Sequence, residues 1–239
     1  MKGAVRPARV GAAQRARAAE IFGALRERYP DARCELNYSS ARELLIATIL
    51  SAQSTDAGVN RATPGLFAAF PTAESLARAE PEEVEPFIRT IGLYRNKAKS
   101  IVSAMRTLVE RHGGEVPRTM EELLELRGVA RKTANVVLGN AFGINEGVVV
   151  DTHVERLAKR FGLAKRDATV AVVEKRLMGL FPRESWWLVP HLLIFHGRRV
   201  CRARGALCAE DAICRRFCAN AVGKRGAAGR GAGAGRGRE

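Results

Sequence analysis

Apolar residues recur along this chain at the three- and four-residue intervals of helices, and no stretch keeps the two-residue alternation of a strand. In AAEIFGALRERY (18–29), Ile21, Leu25 and Tyr29 fall on one face. ARELLIATILSAQ (41–53) holds a nearly continuous apolar run from Leu44 to Leu50, which predicts a helix buried on every side. Further helices are predicted over 57–70, 81–90, 95–112, 119–125, 131–141, 153–161, 168–180 and 187–196. Gly92, Gly113, Gly114, Pro117, Gly128, Gly143, Gly162 and Pro182 punctuate them. The expected class is all-α. In VDTHVERLAKRFG, Thr152 and Glu155 have the spacing of a capping box, and Val154, Leu157 and Phe161 continue as an apolar stripe. Asp151 then stands at the mouth of a helix, where the positive end of the dipole favours a carboxylate. Capping alone is the plain explanation of an Asp there.

Composition narrows the partner class. The 239 residues suffice for one domain or two interlocked ones, and no apolar run reaches membrane-spanning length, so a soluble chain is expected. The formal net charge is +15, and nine of those charges lie at the ends, +5 in residues 1–17 and +4 in residues 223–239. Both ends are rich in Gly, Ala and Arg and are expected to be disordered, because they bury too little surface to offset their ordering entropy. An excess of this sign draws polyanions, and nucleic acid is the leading class. The first residues lack the apolar core of a secretory leader, which predicts a cytoplasmic, nucleoid-associated protein with reduced thiols. Four of the five cysteines crowd into residues 201–218 and Cys34 stands apart. A disulfide knot is not expected of them.

ELRGVARKTANV (125–136) carries the chemistry. Leu123, Leu126 and Val129 surround Gly128, and Ala134, Val137 and Leu138 carry the stripe onward. This is the outline of two helices joined by a glycine turn whose backbone N–H groups can hold a DNA phosphate without reading sequence. A solvated surface residue is the plain explanation of Lys132.

Taken together, LRGVARKTANVV and VDTHVER, with ILSAQSTD and TIGLYRNKA before them and HGRRVC after, resemble the endonuclease III family of bifunctional DNA glycosylase/AP lyases. The resemblance runs from about Glu35 to Cys218, in order and at similar spacing. It implies a six-helix barrel domain with the helix-hairpin-helix over 34–144. It implies a second, iron–sulfur domain assembled from 18–33 and 145–222, with DNA bound in the cleft between the two. Lys132 takes the role of nucleophile at the sugar and Asp151 that of its carboxylate partner. Only a neutral amine attacks, and deprotonating an ordinary lysine at pH 7 costs about 4.6 kcal/mol, so a buried environment is expected around Lys132. Gln53 and Leu93 match positions whose side chains enter the space left by a flipped base. The expected partner is duplex DNA with damaged or abasic nucleotides, bound by a monomer.

The resemblance also implies a [4Fe-4S] cluster, but with C-x6-C-x2-C-x5-C ligands. Here Cys201, Cys208, Cys214 and Cys218 are spaced C-x6-C-x5-C-x3-C, and Asp211 stands at the third position. Four thiolates still suit an iron–sulfur cluster, with zinc as the alternative. Ligation would fix Arg202 and Arg204 on a short loop as a phosphate clamp. In the hairpin, Arg127 replaces the family's Pro and Ala130 its second Gly; an alanine at positive φ would be strained. A binding module with little turnover and a monofunctional mismatch glycosylase are the competing functions.

Overall fold

The structure, a computed structural model, describes residues 5–219 and 221. Among these the chain is all helical, without a strand. The helices in chain order are α1 (Ala12–Arg28), α2 (Ala41–Ser51), α3 (Asp56–Ala69), α4 (Ala73–Arg78), α5 (Pro81–Ile88), α6 (Tyr94–His112), α7 (Met120–Glu125), α8 (Arg131–Phe142), α9 (Thr152–Arg160), α10 (Val170–Leu180), α11 (Leu188–Arg199) and α12 (Ala212–Phe217). They form two compact units, one over Cys34–Gly147 and the other from Arg6–Arg33 with the chain after Val148.

The first unit is built round α2. Leu44 through Leu50 are all buried, as a helix without a polar face requires, and α3, α6 and α8 pack on it. Leu44, Leu45, Ile46 and Leu50 have no exposure, each worth roughly 2 kcal/mol of burial. On α6, Ala98, Ile101, Val102, Met105 and Leu108 complete this core. Helix α4 was not predicted by the apolar spacing. Six residues are too few to show a period, but Thr72 caps it, its hydroxyl accepting from Ser75 N at 3.1 Å.

The second unit joins distant parts of the chain. Ile21, Leu25 and Tyr29 are buried, and α1 packs on α10, α11 and α12. The helix starts at Ala12 rather than Ala18, so the end expected to be disordered through residue 17 is ordered in its last part. Arg17 donates to the carbonyls of Phe161 at 3.4 Å and Phe217 at 3.2 Å, and Ala8 N donates to Lys175 O at 2.8 Å. Gly179 allows this, because any Cβ there would run into the backbone of Ala8. Composition misled here because these bonds use main chain and one guanidinium rather than an apolar stripe. The Gly/Arg end over 223–239 lies outside the described residues.

Helix α9 starts one residue earlier than the sequence suggests. Its cap is Asp151, whose Oδ1 accepts from Val154 N at 2.8 Å, so Thr152 is already helical. Glu155, expected to close a capping box, pairs instead with Lys159 at 2.6 Å. No helix is long and apolar enough to cross a membrane among the described residues.

Candidate active site and metal centre

The hairpin runs from α7 through Leu126–Ala130 into α8. Leu126 N bonds to Leu123 O and Val129 N to Leu126 O, drawing the turn tight. Gly128 has φ +85°, and a Cβ there would lie 2.9 Å from Ser100 Cβ, so both backbone and space demand glycine. Ala130 does not share that demand. Its φ of −99° and ψ of 170° are extended, and it serves as the N-cap of α8. The strain anticipated for an alanine at this position is therefore absent. No side chain of the cap satisfies the first N–H groups of α8, which leaves them open to an anion.

Lys132 is the second residue of α8 and is exposed. The buried surroundings expected for it are not present, because the first turn of α8 faces away from the core that Ala134, Val137 and Leu138 enter. Exclusion of water from this amine must then come from whatever covers it. Asp151 lies in the other unit and is half-buried, its carboxylate engaged in capping α9.

Gln53 and Leu93 share an unusual backbone. They are the two non-glycine residues with positive φ among the described residues, at 57° and 59°. Each such conformation costs roughly 1–2 kcal/mol for a residue with a Cβ. Gln53 follows the end of α2 and Leu93 caps the start of α6, and both side chains are exposed, Leu93 to 61%. The turns lie side by side, since a Cβ on Gly92 would sit 3.9 Å from Gln53 O. Beneath them Lys97 is buried, its Nζ donating to Leu50 O at 2.8 Å, Ala52 O at 2.6 Å and Ser54 Oγ at 3.0 Å. Burial holds its pKa below the ordinary value. The sequence carried a signal for this residue, a lysine in register with the apolar stripe of Ile101, Met105 and Leu108.

In the second unit Cys201, Cys208, Cys214 and Cys218 are all buried, with their sulfurs within 4.8 Å of one another. Their convergence has local causes. Cys201 N bonds to His196 O at the end of α11, and Leu207 N returns to Val200 O, closing the loop that ends at Cys208. Asp211 does not join the four thiols. It caps α12 by accepting from Cys214 N at 2.8 Å, and so sets where Cys214 stands. The acid at this position thus orients Cys214.

Two side chains reach the sulfurs. Arg160 gives Nη1 to Cys201 Sγ at 3.2 Å while also bonding the carbonyls of Cys201 and Arg202. His196, fully buried, sets Nε2 3.2 Å from Cys214 Sγ and Nδ1 3.0 Å from the Tyr29 hydroxyl. Burial lowers the His196 pKa and raises that of Tyr29, so a neutral imidazole meets a protonated phenol. Hydrogen bonds from Cys214 and Cys218, with a further one from Arg160, pull the Cys201 thiol down to about 4, while the same cluster pushes Cys214 up. A low first pKa among four thiols is what a metal site needs, because metals bind thiolates. Neither Arg160 nor His196 was singled out by sequence, since their partners lie 41 and 18 residues away.

The two arginines of the loop differ. Arg202 folds back, its Nε and Nη2 donating to Arg199 O at 3.3 and 3.2 Å, whereas Arg204 is exposed on the loop.

Comparison with known proteins places this arrangement. Residues 46–183 match the HhH-GPD superfamily base excision DNA repair protein family. Endonuclease III of Synechocystis sp. is 51% identical over 199 residues, covering 83% of this chain and 90% of that protein. Endonuclease III of Escherichia coli K12 is 44% identical over 199 residues, covering 83% and 93%. The structure of a trapped endonuclease III–DNA covalent intermediate superposes with a TM-score of 0.82 at 42% identity, covering 88% of this chain and 98% of that one. The four buried cysteines are consistent with a metal site in the same fold. The chain belongs to the HhH-GPD superfamily of base excision DNA repair proteins and, within it, to the endonuclease III family.

Proposed function

We propose that this enzyme removes oxidised pyrimidines from duplex DNA and then cuts the strand, with Lys132 as nucleophile and Asp151 as its carboxylate partner. The observation that carries the reading is the exposed Lys132 on the uncapped first turn of α8, directly after the Gly128 turn. A phosphate received by those N–H groups brings the sugar chain of DNA to the amine, which binds without reading sequence. The Lys132 amine attacks the anomeric carbon, and the bond to the base breaks with its electron pair leaving on the base, which takes up a proton. The sugar ring opens to an iminium with Lys132. Loss of the C2′ proton then expels the 3′ phosphate, and water releases the lysine. A carboxylate stabilises positive charge on the departing sugar and assists proton movement, the roles assigned to Asp151.

Gln53 and Leu93 occupy the space left by the flipped nucleotide. Both are exposed and each is fixed in a strained turn, which presents an amide and an apolar wedge to the stack. The net charge of +15 supports a phosphate-bearing partner, and Gly128, Ala130 and Arg204 add contacts to its backbone. The setting proposed is the cytoplasm, on the nucleoid, as a monomer.

Cys201, Cys208, Cys214 and Cys218 hold a [4Fe-4S] cluster in this proposal. The donor set is all sulfur and buried, and Cys201 within it is predisposed to ionise. When bound, such a cluster supplies a rigid scaffold for the Cys201–Cys208 loop, and no step of the base chemistry passes through it. One observation favours a second reading, a single zinc ion. Zinc–sulfur bonds of about 2.3 Å set sulfurs about 3.8 Å apart, and Cys201 lies 3.5 Å from Cys208 and 3.9 Å from Cys218. Iron, sulfide and zinc assays on the purified protein separate the two.

The test of the function is borohydride reduction in the presence of a duplex bearing an oxidised pyrimidine. The wild type is expected to become linked to DNA and Lys132→Gln to lose the adduct. An undiminished adduct in that variant would refute the assignment.

A further inference from the structure

We propose that Lys97 is the positioning residue that fixes both Gln53 and Leu93 in the orientation used against DNA. This rests on the reading above that those two side chains fill the vacated space. One residue is bonded to both turns. Its Nζ grips Leu50 O and Ala52 O ahead of Gln53 and Ser54 Oγ behind it, while its main-chain N–H donates to Leu93 O at 3.0 Å.

The bonding matches what an ammonium can give. Three donors meet three acceptors, and two of these are carbonyls at the end of α2, where a helix leaves its last oxygens without partners and its dipole is negative. All three acceptors are neutral groups. Burying a charge on such partners is an expensive way to close a helix. What the arrangement secures is direction. Both turns hold a left-handed backbone without glycine, and Leu93 is 61% exposed, so the Leu93 side chain adds little packing of its own to hold its direction. With the Lys97 side chain removed, the main-chain bond to Leu93 O remains, but the Gln53 turn is free to relax to ordinary φ and the Leu93 turn loses the neighbour it lies against, so each outward side chain loses its fixed direction.

The consequence is selective. Filling a gap matters only in a stacked duplex, whereas Lys132 can react with a single-stranded abasic oligonucleotide that has no stack to hold open. The experiment compares the wild type, Lys97→Met, Gln53→Ala with Leu93→Ala, and the combination of all three. The substrates are a lesion-bearing duplex and a single-stranded abasic oligonucleotide. Lys97→Met should lower kcat/KM on the duplex by roughly ten- to a hundredfold, the cost of a small misplacement. It should keep cleavage of the single strand within about twofold, and add no further loss on the duplex when Gln53 and Leu93 are already alanine. An equal loss on both substrates, a full additional loss in the combined variant, or an unchanged duplex rate would overturn the inference. If Lys97→Met does not fold by circular dichroism, Ser54→Ala replaces it. A smaller loss confined to the duplex then supports the inference, and no such selectivity overturns it. A wild type that cuts neither substrate overturns the function itself and this inference with it.

Discussion

The Tyr29 hydroxyl and Nδ1 of His196 share a hydrogen bond of 3.0 Å, while Nε2 of the same ring faces Cys214 Sγ at 3.2 Å. A helix near the start of the chain thereby orients a sulfur near its end. Removing the phenol oxygen leaves a buried ring nitrogen without its hydrogen-bond partner, at a cost of about 1–3 kcal/mol. Tyr29→Phe should lower urea stability by that amount. His196→Leu should release the bound metal to a chelator ten- to a hundredfold faster, about the effect of losing a group that holds a ligand. Metal retention equal to wild type in both variants would show the contact to be idle.

Asp151 caps α9 and, in the proposed function, is also the carboxylate at the sugar; one substitution separates the two. Asparagine caps a helix about as well as aspartate, while alanine costs about 1 kcal/mol. Asp151→Asn should keep thermal stability near wild type and lose most of its base release and strand cleavage. Asp151→Ala should lose both activity and stability. If Asp151→Asn retains full turnover, the carboxylate only caps α9.

Two hairpin positions that look alike in sequence should answer differently. Gly128→Ala meets a positive φ and Ser100 Cβ at 2.9 Å, and should cost about 1–3 kcal/mol. Ser100→Gly in the same chain should restore part of that. Ala130→Gly relieves no strain, because φ is already −99°, and should change stability by only a few tenths of a kcal/mol. Chemical denaturation of the three variants checks the ordering.

Asp211 offers a test of the altered cysteine spacing. Asp211→Cys restores the third family position but removes the cap that accepts from Cys214 N. Stability should fall by about 1 kcal/mol, with iron or zinc per chain unchanged. A gain in bound metal would mean that the aspartate had displaced a ligand rather than oriented one.

Lys97 also sets a pH response. Its folded pKa lies below the ordinary 10.5 because burial disfavours the charge, so the unfolded chain binds this proton more tightly. Stability therefore rises with pH between the lowered folded value and 10.5. The stability of the wild type relative to Lys97→Met should increase as the pH is raised toward 10.5 in urea titrations. A flat difference would place Lys97 in water.

The helices were legible wherever apolar spacing had room to repeat, as on α2 and α6. The six-residue α4 and α12 were not legible, being shorter than two turns and without the glycine turn that marks the equally short α7, and show themselves only through Thr72 and Asp211. The hairpin, Lys132 and Asp151 were readable as local motifs, and so were four clustered cysteines. What escaped was everything set by distant partners: the folded start of α1, the grip of Lys97 on the end of α2, and the reach of Arg160 and His196 to the sulfurs. Side chains of that kind look like ordinary surface charges until the backbone brings their acceptors near. Exposure of Lys132 ran against expectation for a related reason, since a reactive amine suggests shelter while its helix turn faces outward.

The bonds from Arg17 to Phe161 and Phe217 close separations of 144 and 200 residues. During synthesis the first unit can fold as soon as residue 147 has emerged, but the second must wait for its last helix while α1 stays exposed. At ribosomal rates of about 5–20 residues per second, that wait lasts on the order of ten seconds. A chain stalled before Phe217 would therefore carry a finished hairpin together with a helix whose apolar stripe has lost one of its three packing partners, which makes late termination more hazardous for this protein than the small number of missing residues would imply.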